Sequence, residues 1–175
     1  MIRMLLTGLL AGAPLLAAGA QASSGPDAIV GFWQTEDGGA VIEITSADAL
    51  DAEKSGYQGH LAWLRESHYP ADDPQGMDGE PVVDRHNPDP ALRTRALIGL
   101  KLLTGLRYRV REDGDARWVD GHVYDTENGK RYDCIAWLAD DDHLKLRGYV
   151  GIKLLGRTTT WTRMPDPVAE PPIKG

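Results

Sequence analysis

The sequence has few of the residues that support covalent cross-links or familiar catalytic chemistry. It contains one cysteine, Cys134, among 175 residues, which excludes an internal disulfide and a paired-cysteine metal site. It also lacks an H-x-x-x-H pair and a glycine-flanked nucleophilic serine. Cys134 alternates with Tyr132, Ala136 and Leu138, which favours a buried small side chain over a reactive thiol or an intermolecular disulfide. We therefore expect no enzymatic activity, no cofactor and no bound metal.

The chain has no excess of positive charge. Asp and Glu number 26 and Lys and Arg 19, which gives a net charge of −7, and the two signs are interspersed. Neutralisation of phosphates by basic side chains drives binding to nucleic acid, so a nucleic-acid partner is not expected. Interspersed charges of this kind are typical of a solvated protein surface.

Only the first 22 residues contain an extended apolar run, and they predict a secretory signal peptide. Arg3 precedes the apolar residues 4–16, and Ala20-Gln21-Ala22 is typical of a cleavage site. The run is shorter than the roughly 20 residues that span a bilayer, so no membrane span is expected there or later. Cleavage would leave a chain that begins near Ser23, with a net charge of −8 after loss of Arg3. The predicted location is periplasmic or secreted.

Short strand-like segments separated by turns make up most of the remaining chain. Each is rich in β-branched or aromatic residues and is bounded by turn-forming residues. Four follow one another late in the chain: Trp118–Asp125, Lys130–Leu138, His143–Val150 and Leu155–Met164. Four more precede them: Gly31–Trp33, Ala40–Thr45, Tyr57–Glu66 and Ile98–Val110.

The number and spacing of these segments predict an all-β fold. An open antiparallel sheet of about eight strands would leave two exposed edges. We therefore expect a single antiparallel up-and-down barrel over residues 23–165, with one short helix. The proline-rich residues 166–175 are predicted to form a disordered tail.

Two connections between the predicted strands are distinctive. Asn128-Gly129 predicts a two-residue type I′ hairpin turn, because both residues tolerate a positive φ. Residues 68–87 are rich in proline, glycine and aspartate, and they predict a long loop over one mouth of the barrel. We expect the segment 68–97 to gate the interior. After this loop, Asp89 is placed to cap the short helix, with Pro90 at its first position.

A polar segment next to this loop is the first candidate ligand site. It contains Asp84, Asn87, Arg93 and Arg95. A guanidinium group binds a carboxylate or phosphate through two parallel hydrogen bonds, so either arginine is a candidate for an anionic ligand. The alternative is that these residues form caps and ion pairs that fasten the segment to the barrel.

Aromatic and basic residues on the predicted strands form the second candidate site. Arg147, Tyr149, Arg157 and Trp161 are predicted to share one face of two adjacent strands, a lining that suits an amphipathic or anionic ligand. The alternative is an exterior ladder of cations and aromatic rings that stabilises the sheet. Three aromatic residues complete the predicted ligand-binding set: Trp118, Tyr124 and Tyr132.

Asp120 and His122 are the nearest approach to a catalytic pair. They lie two residues apart in a predicted strand, so their side chains face the same way. Such a pair can act as a general acid and base or contribute to a metal site. We favour the alternative, a hydrogen-bonded face of the strand.

Motifs spread along nearly all of the predicted mature chain form a specific combination. They are Gly31 with Trp33, Asn87-Pro88-Asp89-Pro90 with Arg93, Gly99-Leu100, Trp118, Gly121, Tyr124-Asp125, Asn128-Gly129-Lys130 with Tyr132, Leu144, Arg147-Gly148-Tyr149, Leu155-Gly156-Arg157 and Trp161-Thr162-Arg163. Together they resemble the bacterial "domain of unknown function 2147" family. Thr126 departs from the pattern, since the family often has proline there, and this affects only the local turn. The resemblance implies a small exported protein with a lipocalin-like fold, and it brings no settled activity.

The lipocalin comparison predicts how one end of the barrel closes. Gly31-x-Trp33 in the first strand resembles the lipocalin Gly-x-Trp motif. Arg163, at the end of the last strand, is placed to stack on the Trp33 indole in a cation–π contact. We therefore predict that Gly31, Trp33, Trp161 and Arg163 form the closed end.

One main hypothesis and two alternatives follow. We expect an exported lipocalin-like protein that binds a small, partly apolar molecule in its barrel, with an anionic end on the ligand as one option. The first alternative is an envelope structural, interaction or stress-related protein whose barrel is filled by its own side chains. The second, less favoured, is a hydrolase. A cavity of several hundred Å³ favours binding, and a filled barrel favours the structural role.

Overall fold

The computed structural model describes residues 25–47, 56–152 and 156–167. The predicted signal peptide, residues 1–22, and residues 168–175 of the predicted tail lie outside this part. Within it, helix is limited to two short 3₁₀ segments, and no helix is long and apolar enough to cross a membrane.

The described residues form one antiparallel β-barrel. Its strands are β1 Gly31–Gln34, β2 Ala40–Ser46, β3 Tyr57–Leu64, β4 Lys101–Val110, β5 Ala116–Asp125, β6 Lys130–Leu138, β7 His143–Tyr149 and β8 Arg157–Met164. Each strand pairs with the next, and β8 pairs with β1, so the sheet closes on itself. Closure removes the exposed edges that an open sheet would present. The predicted all-β, up-and-down barrel is confirmed.

The barrel has two different ends. The chain turns between β1 and β2, β3 and β4, β5 and β6, and β7 and β8 at one end, which we call the open end. The other turns, and the 3₁₀ helix Pro26–Ile29 before β1, lie at the opposite, closed end. Side chains of the core fill the closed half of the barrel interior. The largest with almost no exposed surface are Trp33, Trp118, Ile29, Ile42, Ile44, Leu103, Leu106 and Leu144.

The 3₁₀ helix Pro26–Ile29 seals the closed end. Each of its four residues accepts a hydrogen bond from a side chain of a different strand: Pro26 O from Trp118 Nε1 (3.0 Å), Asp27 Oδ1 from Tyr57 OH (2.7 Å), Ala28 O from Arg163 Nη2 (2.6 Å) and Ile29 O from Trp33 Nε1 (2.8 Å). Buried backbone carbonyls need such partners, because an unpaired one is costly. The segment is therefore an integral part of the barrel.

Trp33 and Arg163 meet at the closed end, as predicted. They are paired across β1 and β8, and the guanidinium carbon lies 4.1 Å from the centroid of the indole. Gly31 has a φ of 129°, and a Cβ there would lie 3.1 Å from Arg163 Nη1, so a larger residue would be strained and crowded. Trp161, which was predicted to belong to the closed end, instead lies on the inner face with Leu144 and lines a cavity, so this part of the prediction is wrong.

The turn between β5 and β6 differs from the predicted one. Four residues, 126–129, separate the strands, and Gly129 N–H donates to Asp125 O at 2.8 Å. Gly129 has a φ of 69°, whereas Asn128 does not have a positive φ. The type I′ prediction is wrong because the Asn128 side chain instead donates to Asp125 Oδ2 and accepts from Lys130 N, which stabilises the wider turn.

Residues 65–100 connect β3 to β4 at the open end and are held by their own polar contacts. Asp73 pairs with Arg85 at 2.9 Å, and Arg85 also donates to the Tyr69 hydroxyl. The predicted short helix is a 3₁₀ turn, Pro90–Leu92, and Asp89 Oδ1 accepts from Ala91 N as its cap at 3.0 Å.

Candidate functional site

The open end of the barrel contains a cavity of about 810 Å³. Its walls are inward-facing residues of the strands, and its rim is formed by the β1–β2, β5–β6 and β7–β8 connections. The apolar side chains that line it are Ala40, Ile42, Leu61, Leu64, Leu102, Val123, Leu146, Val150 and Trp161. A pocket of this size with mostly apolar walls is typical of a binding site for a small molecule.

The register of β7 and β8 determines which side chains face the cavity. Leu146 is paired with Thr159, and Gly148 with Arg157, and all four residues line the cavity. Arg147 is paired with Thr158 on the opposite, outer face, and its Nη1 donates to Thr158 Oγ1 at 2.9 Å. The prediction that Arg147 and Tyr149 share a face with Arg157 and Trp161 is therefore wrong, because neighbouring residues of a strand alternate between faces and Tyr149 follows Gly148.

Gly148 leaves space in the cavity wall. The nearest atoms to a Cβ at this position would be Val123 Cγ1 at 3.7 Å and Tyr132 Cβ at 3.9 Å, which are ordinary van der Waals distances. A residue larger than alanine would therefore project into the cavity. The missing side chain contributes directly to its volume.

The rim carries mostly negative charge. Glu36, Asp37, Asp125 and Glu127 border the cavity, and Arg157 is the basic residue among the described side chains that line it. Hydrogen bonds from the Thr35 hydroxyl and Gly39 N–H hold the pKa of Asp37 below its usual value, against the effect of burial. Asp37 is therefore ionised at neutral pH.

The first candidate site is a buried contact between the loop and the barrel, which we call the loop anchor. Asp84, with no exposed surface, accepts hydrogen bonds from Asn87 Nδ2 (2.7 Å), Tyr124 OH (2.7 Å) and both Arg95 Nε (3.0 Å) and Nη2 (2.7 Å). Tyr124 belongs to β5 and directs its hydroxyl to this cluster while it also borders the cavity. Arg93 Nε donates to the Asn87 carbonyl at 2.8 Å.

The anchor is balanced electrostatically without a ligand. Burial alone would raise the pKa of Asp84, but the hydrogen bonds from Asn87, Tyr124 and Arg95, with the guanidinium charge, hold it below its usual value. Burial and the neighbouring carboxylate raise the pKa of Tyr124, so its hydroxyl stays protonated and donates. These contacts correspond to the fastening that the sequence offered as the alternative to anion binding.

The long loop does not roof the cavity. None of residues 65–100, all of which are described, lines it. The loop instead packs on the β5–β6 hairpin, where His86 Nδ1 lies 3.2 Å from Thr126 O and the His86 carbonyl abuts Gly129. The predicted gate is wrong in this respect, because the Asp84 and Tyr124 contact holds the loop beside the mouth.

The remaining predicted residues divide between the cavity and the closed end. Tyr132, Tyr149 and Arg157 line the cavity, together with Tyr124. Trp118 lies at the closed end, where its ring packs at 5.3 Å from that of Tyr108. The structure therefore separates the predicted set into three places: the cavity, the loop anchor and the sealed end.

His122 and Asp120 do not form a pair. Asp120 has a φ of 62° and lies in a bulge between Trp118 and Gly121, which removes the regular alternation. His122 Nε2 instead lies 3.5 Å from Asp133 Oδ1 on the outer face, with both side chains about half exposed at 54% and 48%. In the described ranges, no group of three or more His, Cys, Asp or Glu residues is arranged to hold a metal ion.

Cys134 is a core residue. It has no exposed surface, and burial, with a smaller effect from Asp133, raises the pKa of its thiol to about 12. The prediction of a buried small side chain is confirmed.

Sequence reasoning missed most of the cavity wall and rim. Leu61, Val123 and Thr159 carry no chemical motif, and Glu36 and Asp37 belong to a turn, where acidic residues are common. Alternation in β7, with Leu144, Leu146, Gly148 and Val150 on one face, was the available signal for the wall.

Comparison with solved structures finds a similar barrel. A protein described as "Protein HP1028 from the human pathogen Helicobacter pylori belongs to the lipocalin family" matches with a TM-score of 0.58 and 20% sequence identity, over 81% of this chain and 86% of that one. At this identity the match supports a lipocalin-like fold. A comparison with curated proteins finds no match.

The sequence also matches a family model. The model is described as "Uncharacterized protein conserved in bacteria (DUF2147)" and aligns with residues 31–163, which span the barrel from β1 into β8. The match covers well over half of the chain, and it includes the Trp33 and Arg163 pair of the closed end and the strands that form the cavity. The chain therefore belongs to the bacterial DUF2147 family, with a lipocalin-like barrel.

Proposed function

We propose that this chain is an exported binding protein that takes a small, partly apolar molecule into the open end of its barrel. The observation that carries the proposal is the cavity of about 810 Å³ with mostly apolar walls. Pockets for small molecules have volumes of about 300–1,000 Å³ and similar linings. The helix Pro26–Ile29 seals the other end, so a ligand would enter and leave through the rim.

The alternatives have less support. A structural role for a filled barrel is at odds with the cavity, although side chains do fill the closed half. Catalysis has little support because His122, from the candidate pair with Asp120, contacts Asp133 on the outer face, away from the cavity wall. We propose binding without chemical conversion of the ligand.

Export is proposed from the amino-terminal sequence. In the native host, we expect the protein in the periplasm or the medium, with an amino terminus near Ser23 measured by mass spectrometry. Ala22→Phe should block cleavage and leave residues 1–22 attached. Wild-type protein found in the cytoplasm with those residues intact would contradict export.

Filling the cavity is expected to abolish most binding. Gly148→Leu places a branched side chain between Val123 and Tyr132, and overpacking of about 1–3 kcal/mol corresponds to a loss of affinity of roughly tenfold or more. The probe is N-phenylnaphthylamine, an apolar dye whose fluorescence rises in a dry site, and Trp161 emission gives a second signal from the cavity wall. Gly148→Ala is the matched control and should bind within about twofold of wild type.

A folding check and a second variant complete the test. Circular dichroism verifies that each variant is folded, and Thr159→Phe, at a cavity-lining position of β8 paired with Leu146, replaces Gly148→Leu if the latter does not fold. Native mass spectrometry of protein purified from its host identifies any co-purifying ligand. Dye binding that Gly148→Leu and Thr159→Phe leave unchanged, or no dye binding by wild type, would refute the cavity as the site.

A further inference from the structure

We infer that the ligand is a cationic amphiphile, an apolar molecule with an amine-type end that is held at the rim. The inference rests on the proposed function, since it concerns the same cavity. It is carried by the arrangement of charge around the rim and by the aromatic ring of Tyr132 beside it. It also departs from the anionic ligand that the arginines of the sequence suggested.

The carboxylates stand on opposite sides of the entrance. Glu36 and Asp37 lie in the β1–β2 turn, while Asp125 and Glu127 lie in the β5–β6 hairpin. In a closed barrel of eight consecutive strands, these hairpins are four strands apart and therefore face each other across the mouth. A molecule that enters the cavity passes between the two pairs of negative charges.

Among the described residues, two guanidinium groups beside the rim do not offset four carboxylates. Arg65 Nη2 donates to the Asp37 carbonyl at 3.0 Å in the β1–β2 turn. Arg157 is the first residue of β8 and is exposed to solvent. Clefts lined mainly by one sign of charge, with low-dielectric walls, concentrate ions of the opposite sign. The local field at the entrance therefore favours a cation over an anion of the same size.

An aromatic ring lies where the head of such a ligand would rest. Tyr132, from β6, lines the cavity, and its hydroxyl accepts a hydrogen bond from Asn128 Nδ2 of the β5–β6 hairpin at the rim (3.1 Å). The faces of indole and phenol rings attract cations, and this attraction is the basis of ammonium recognition in proteins. The apolar wall formed by residues such as Ile42, Leu61 and Leu146 would hold the hydrocarbon part.

Three ligands of equal chain length separate charge from apolar burial. Decylamine is protonated at neutral pH, decanoate is ionised and decanol is uncharged. Each is titrated, at low ionic strength and below the concentration at which it forms micelles, into the complex with N-phenylnaphthylamine. We expect decylamine to displace the dye at the lowest concentration, then decanol, then decanoate. The affinities of decylamine and decanoate should differ about tenfold, and this difference should shrink as salt is added.

A charge variant tests the source of this preference. Glu36→Gln combined with Glu127→Gln removes one carboxylate from each side of the rim and should weaken decylamine severalfold while it leaves decanol unchanged. The matched control, Glu80→Gln with Glu112→Gln, changes the net charge equally at exposed residues that do not line the cavity, and should have no effect.

The outcomes distinguish this inference from the proposed function. Decanoate that binds as tightly as decylamine, or control and rim variants that respond alike, would overturn the cationic ligand and leave apolar binding in place. Failure of the dye and all three ligands to bind wild type would overturn both.

Discussion

Arg163→Ala should destabilise the barrel by about 4 kcal/mol, among the largest effects of any single substitution in this chain. The guanidinium stacks on Trp33 at 4.1 Å and donates to the carbonyls of Asp141 (2.8 Å), Val30 (3.0 Å) and Ala28 (2.6 Å). Truncation removes the cation–π contact and leaves these acceptors without their donors. Urea unfolding followed by tryptophan fluorescence measures the loss.

A matched variant on the same strand isolates the closed end. Arg157→Ala removes an exposed guanidinium from β8 at the open end and should change the free energy of unfolding by about 0.5 kcal/mol or less. Arg163→Lys keeps the charge and loses the planar fork, so it should recover only part of the stability. If Arg163→Ala costs no more than Arg157→Ala, the stacking and carbonyl contacts do not stabilise the barrel.

Asp84→Ala is expected to cost about 3–5 kcal/mol, because it leaves the Arg95 guanidinium and the Tyr124 hydroxyl without their buried partner. The loop 65–100 should then detach from β5, and protease cleavage within it should become fast. Asp89→Ala is the matched control, an exposed cap in the same loop worth about 1 kcal/mol. Equal cleavage rates for the two variants would show that the anchor does not hold the loop.

The anchor also predicts the pH dependence of stability. The pKa of Asp84 is lowered by folding, so its contribution is complete above the unfolded value of about 3.9 and is lost as pH falls through the lower, folded pKa. The difference in unfolding free energy between wild type and Asp84→Ala should therefore be constant from neutral pH to about 4 and shrink below it. A difference that stays constant to pH 2 would contradict this assignment.

Features encoded by local pattern could be predicted from the sequence. Alternating residues in β6 and β7 predicted the strands. The resemblance of Gly31-x-Trp33 to the lipocalin motif, with Arg163 at the end of the last strand, predicted the contact that closes the barrel. Alternation does not state which face is inside, however, so Arg147 was assigned to the ligand site although it lies on the outer face. Only the pairing of β7 with β8 resolves this ambiguity.

Features that depend on distant contacts had no local signal. Asp84 and Tyr124 are 40 residues apart, and neither has a neighbour that predicts their hydrogen bond. The Pro26–Ile29 helix has no pattern that predicts it, because four residues are too few to show a period. Three of its four contacts use backbone carbonyl groups, which every residue has, so the identity of these residues does not predict them.

The contacts of Pro26–Ile29 limit when the closed end of the barrel can fold. Ala28 emerges from the ribosome among the earliest residues, yet its partner, Arg163, follows 135 positions later. Trp118, which binds Pro26, is 92 positions away. The hydrogen bonds that complete the closed end can therefore form only after β8 has been made. Contacts that join residues so far apart in sequence form slowly, so the closed end is expected to be the last part of the barrel to become ordered.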